Sequence, residues 1–242
     1  MTADRWTRVS GQHRLALDRL LPLGGPRDGA WIVEGAVGAV LRRAANGVPG
    51  VRLGTPRISL ADPDDVGEPV VPRPPGALPP GALRVTADFA APAARPLPAT
   101  ASRLRLALVA AATKELGLTV TEVDLRVTEL LETADGQVTP VEAPRPPAAR
   151  DSTDPEESRA AAAALSVPGV ARLTGSLGGL GRAAVHVEER AGAAALPHRH
   201  VRVELAVGAG HRAVEVARRV RAAVRDALDD HPTVAVLVTS VA

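Results

Sequence analysis

Apolar positions along the chain follow two spacings, one helical and one alternating, and they do so in the same order in each half. Residues 33–46 place Val37, Val40, Leu41 and Ala44 on one face at helical intervals. The strand Val51 to Leu60 alternates imperfectly, and Leu83-Arg84-Val85-Thr86-Ala87-Asp88-Phe89 alternates well, as a half-buried strand should. From about residue 100 to Leu116 the helical spacing returns with Leu104, Leu108, Val109 and Ala112, and Gly117 offers a C-terminal cap. A closing strand beginning near Val123 ends near Leu131. The second half predicts a helix over 158–166, strands over 170–175, 183–189 and 200–207, a helix over 211–229 and a strand over 233–241.

The two halves share an anchor, Val48-Pro49-Gly50-Val51 and Val167-Pro168-Gly169-Val170, each after an Ala-rich helical run and before β-type sequence. Similarity in a fixed order of elements is the mark of an internal repeat, and two copies imply duplication rather than a solenoid. The expected fold is α+β: two α-β-β(-β)-α-β units, each a small sheet with helices packed on one face. Their expected bounds are residues 31–131 and 158–242. Residues 1–30 are expected to form a leader whose Leu15, Leu17, Leu20 and Leu21 make a short amphipathic helix, ended by Pro22 and Gly24-Gly25-Pro26. Seven prolines between 61 and 82 predict an extended insert that spaces two strands, and residues 132–157 have the composition of a linker.

Composition narrows the function. The 242 residues include two Trp, one Phe, no Tyr and no Cys, so Ala, Val and Leu must fill the core and bases have few rings to stack on. A pI near 10.2 suggests a nucleic-acid binder, yet the net charge is only +2. With no Cys or Tyr and with Lys114 as the single lysine, almost nothing titrates between neutral pH and the arginine range, so a small excess persists. The absence of Cys also removes disulfides and thiolate chemistry. Neither a signal-peptide core nor a membrane-length apolar run is present, so a cytoplasmic location is expected.

Reactive groups do not gather into a recognisable pattern, so no catalytic residue, cofactor or metal is expected. Gly175 to Gly181 contains the Gly-x-x-Gly of KH loops but lies between strands, which favours a hairpin tip. His198, His200 and His211 could together hold zinc, but no carboxylate or Cys stands at supporting spacing. Asp124 with Glu129, and Glu188 with Glu189, are strand residues on opposite faces, and Ser240 has no base. The one candidate surface is the helix 211–229, where Arg218, Arg221 and Arg225 line one side opposite Val216, Val220 and Val224. Such a stripe fits an anion, whether phosphate, an acidic partner or a headgroup.

The second unit, through Ala160 to Val170, Val201 to Leu205, Val214 to Val224 and Val234 to Val241, resembles the alkaline-shock or general-stress proteins of the Gram-positive envelope stress response. The first unit is similar through Val48 to Val51 and Leu116 to Val123, which makes a tandem two-copy member. The resemblance implies a non-catalytic cytoplasmic scaffold or adaptor, held at the inner membrane face by a small membrane-anchored protein. Expected partners are therefore proteins, further copies of the chain among them. The alternative is a KH-like nucleic-acid-binding protein that uses the arginine face of the last helix.

Overall fold

The computed structural model describes residues 19–132, 145–176, 183–190 and 198–242. Within them the protein is α+β, with four α-helices and ten strands in two mixed sheets.

The smaller sheet is centred on β5 (Leu83–Pro92), whose alternation buries Leu83, Val85, Ala87 and Phe89. β3 (Arg52–Leu53) and β4 (Arg57–Leu60) follow one another along one edge of β5, both antiparallel to it. They are two strands rather than one because Gly54, Thr55 and Pro56 break the run, and Pro56 has no N–H for the ladder. The other edge pairs in parallel with β6 (Val120–Leu131). The crossover is α2 (Leu97–Ala111), extended by a wider π-helical turn over Ala112–Leu116 and capped by Gly117 at φ 89°. α2 starts before Thr100 because Pro98 sits in its first turn, where a missing N–H costs nothing.

The larger sheet has β9 (His198–Val207) at its centre. β7 (Val170–Leu173) and β8 (Val185–Arg190) pair antiparallel with one edge, and β10 (Thr233–Val241) pairs in parallel with the other. α4 (Ala213–Ala227) is the crossover, and α3 (Pro155–Leu165) packs on α4 and β7. α3 starts earlier than the linker composition suggests because the Asp154 carboxylate accepts the N–H groups of Glu156 and Glu157.

Both Val-Pro-Gly-Val anchors stand in helix-to-strand turns, after α1 (Glu34–Asn46) and after α3. Gly50 and Gly169 take φ of 75° and 100°, and the N–H of Val51 and Val170 return to the carbonyls of Val48 and Val167.

Leu20 and Leu21, expected in a leader helix, lie instead in β1 (Leu20–Pro22), antiparallel to β2 (Ala30–Val33). Pro22 removes an N–H that a helix would need, and the Gly24-to-Gly29 turn folds the chain back. Leu15 and Leu17 lie outside the described residues. β2 pairs in parallel with β10, through Ala30, Trp31 and Ile32 against Val236, Leu237 and Val238. A strand from early in the chain thus completes the sheet that closes at its end.

The proline-rich insert is docked rather than projecting. Leu78 N–H donates to Leu20 O at 2.8 Å, Val70 N–H to Pro26 O at 3.0 Å and Trp31 Nε1–H to Leu78 O at 3.1 Å, and Val71 is buried. Of the expected linker, residues 133–144 lie outside the described residues. Ala148 bridges Thr174, and Arg172 donates to Pro146 O at 2.8 Å.

Candidate functional site

The arginine stripe exists because α4 buries Val216, Ala217, Val220 and Val224 on its opposite face. What the stripe faces is the β1–β2 turn. Arg218 holds Asp28 with two parallel bonds, Nε to Oδ1 at 2.7 Å and Nη2 to Oδ2 at 3.0 Å, and gives Nη1 to Glu215 Oε1 at 2.9 Å. Asp28 Oδ2 also accepts the Gly25 N–H at 2.7 Å. Arg221 Nη1 donates to the carbonyl of Arg27. Arg225 Nε bonds Asp226 Oδ1 at 3.0 Å.

These contacts set the charges. Burial alone would raise the Asp28 carboxyl, but hydrogen bonds from Arg218 and Gly25 and the charges of Arg218 and Arg221 outweigh it and hold it below the usual range. The bond to Asp28 raises Arg218, whereas burial, aided by the charge of Arg225, lowers Arg221.

Arg218, Arg221 and Arg225 line a cleft of about 310 Å³ that His231 and Thr233 complete. His231 is the one non-glycine residue with positive φ among the described residues, at 47°, and its Nδ1 lies 3.2 Å from Arg225 O. The cleft is cationic, yet each arginine already has an acceptor within the chain. Arg218 and Arg221 staple the turn to α4; Arg225 is the most exposed of the three.

The other sequence candidates do not assemble. His200 is buried with Nδ1 2.8 Å from Thr233 Oγ1, and His211 lies beyond the far end of β9, beside Gly169. The side chain of His198 is outside the described residues. Among the described residues no three His, Asp or Glu side chains gather as metal ligands would. Residues 177–181 of the Gly-x-x-Gly stretch also lie outside them, in the β7–β8 connection. Asp124 and Glu129 face Arg84 and Arg52, and Glu188 faces Arg202. Ser240 is buried in β10.

Sequence reasoning missed the edge strand and the polar interior of the larger sheet. Glu204 is fully buried in β9, its Oε2 accepting the Ser176 N–H at 3.0 Å. On the neighbouring strand burial, and then the charge of Arg202, push the His186 imidazole below its ordinary value. At the edge of the smaller sheet, β6 pairs with β5 alone among the described residues. Its register to β5 slips after Val120 and again after Val127, which turns the backbone of Val123, Leu125 and Val127 toward the open side. Arg105 Nε on α2 meets this edge, donating to Val123 O at 3.1 Å. Leu130, near the strand end, is 56% exposed. The signal was the length of the alternating run, which sequence alone does not place at an edge.

Among the described residues no helix is long and apolar enough to cross a membrane. No protein-family model matches the chain, and no curated protein matches it in sequence.

Proposed function

We propose that the protein is a non-catalytic adaptor of bacterial envelope or general stress physiology, made of two alkaline-shock-like units over residues 31–131 and 158–242. Both stretches run helix, Val-Pro-Gly-Val turn, two short strands on one edge of a long strand, crossover helix and parallel closing strand. The observation that carries the functional reading is the open edge of β6, a twelve-residue strand with one described neighbour. Unpaired N–H and C=O groups in a row are a template for adding a strand from another protein. On this reading the protein is cytoplasmic and reaches the inner membrane face through a small anchored partner.

Affinity purification from the native host, with membrane and soluble fractions kept apart and each treated with or without nuclease, tests it. The expected result is nuclease-resistant recovery of a small membrane-anchored protein, lost with Leu125→Pro. That substitution removes an outward N–H and spares the ladder to β5, and circular dichroism checks its folding. Recovery unchanged by Leu125→Pro, or no recovered partner, overturns the reading.

The cationic cleft favours a second reading, nucleic-acid binding. It ranks lower because Arg218 and Arg221 are engaged within the chain. Nuclease-sensitive recovery of RNA-associated proteins that Arg225→Glu weakens would move the assignment there, with binding falling steeply as salt rises.

A further inference from the structure

We propose that the open edge of β6 takes β6 of a second copy of this chain, antiparallel, with the twofold axis through Leu125. This rests on the adaptor reading and names its first partner. Only residues whose backbone faces outward can share ladder bonds, so Val123, Leu125 and Val127 must pair among themselves. Three central registers satisfy that condition. With the axis at Asp124, each Asp124 faces its own copy, and with the axis at Arg126, each Arg126 does the same. With the axis at Leu125, Val123 faces the partner's Val127, and Asp124 faces the partner's Arg126 at both symmetry-related places. Those charges then fall in non-hydrogen-bonded pairs, where side chains approach most closely. Asp124 and Arg126 are exposed and on the outer face, so the pairing uses side chains that the core does not.

Arg105 regulates the edge. Its bond to Val123 O occupies an acceptor that the partner's Val127 N–H needs, so dimerisation has to displace it. The joined sheet has eight strands, and the cationic cleft lies on the other sheet, outside the new contact.

Sedimentation velocity over a concentration series, on the full chain with folding checked by circular dichroism, tests the proposal. Wild type is expected to dimerise. Asp124→Arg and Arg126→Asp each place like charges together twice and should weaken the dimer about tenfold. The double variant D124R/R126D restores opposite charges in this register alone and should return to within about threefold of wild type. Arg105→Ala should tighten the dimer. A wild type that stays monomeric, single variants that change nothing, or a double variant as weak as the singles overturns the proposal. A monomer that still loses its cellular partner with Leu125→Pro removes the second copy as occupant and leaves the adaptor reading in place.

Discussion

At Gly117 one hydrogen atom in place of a methyl group decides whether two parts of the chain can touch. The residue ends the π-helical turn after α2 at φ 89°, where its N–H returns to Ala112 O at 2.9 Å. A Cβ built there would strike Val214 at the start of α4, with Val214 Cβ only 2.7 Å away. Gly76 makes a control, since its φ is 74° and nothing lies within 4 Å of its added Cβ. Gly76→Ala therefore bears only the left-handed backbone cost, about 1 kcal/mol. Gly117→Ala bears that cost and the clash, about 2 to 3 kcal/mol, which for a chain of this size lowers Tm by about 4 to 12 °C. Calorimetry on the two variants checks it; equal losses would mean that the turn does not press on α4. The cap itself was legible, because glycine after a helical apolar stripe has few other roles. Its neighbour Val214 was not, since nothing local to Gly117 names a residue so far along the chain.

Elements carry the same contrast between local and distant information. The helices and long strands were legible because their buried faces impose a period, as Leu104 and Leu108 do in α2 or Val201, Val203 and Leu205 in β9. β1 was not, since three residues show no period, and the docked insert was not, because it is held by carbonyls of Leu20 and Pro26 that every sequence possesses. Of the candidate site, the arginine stripe was legible and its acceptors were not: Asp28 stands 190 positions before Arg218. That staple joins a turn to a helix, and its strength follows from geometry. Asp28 is 13% exposed and Arg218 47%, so screening trims what a bidentate charged pair contributes, to about 1 to 2 kcal/mol. Because the folded carboxyl lies below its ordinary value, the unfolded chain binds its proton first as acid is added. The contribution is therefore complete above the ordinary carboxylate range near 3.9 and is lost as pH falls through it toward the lower folded value. Urea unfolding across that range should show wild type losing more stability than Asp28→Asn, and Asp28→Asn should already be less stable at neutral pH. Parallel curves would mean that the pair is spent on solvent.

On the scale of the whole molecule, the order of elements suggests two units, whereas the pairing of β2 with β10 ties the start of the described chain to its end. The apolar core is continuous across both sheets: Trp31 and Val37 belong to the same buried cluster as Phe89, Leu104, Val203 and Val220. α1 touches β10, Arg212 at the head of α4 donates to Thr113 O at 3.1 Å, and Arg218 grips the β1–β2 turn. Separating the sheets would break this common cluster and expose its apolar surface, and shared burial makes unfolding cooperative. A single calorimetric transition is expected, with the calorimetric and van't Hoff enthalpies equal. Trp31→Ala sharpens the test, since Trp31 is 1% exposed in β2 and holds Leu78 of the insert through its indole N–H. Its removal should cost about 3 to 5 kcal/mol and shift the whole transition downward without splitting it. Two resolved transitions, with only one moved by Trp31→Ala, would show that each sheet folds on its own and that the packing between the sheets is a docking contact rather than part of one core.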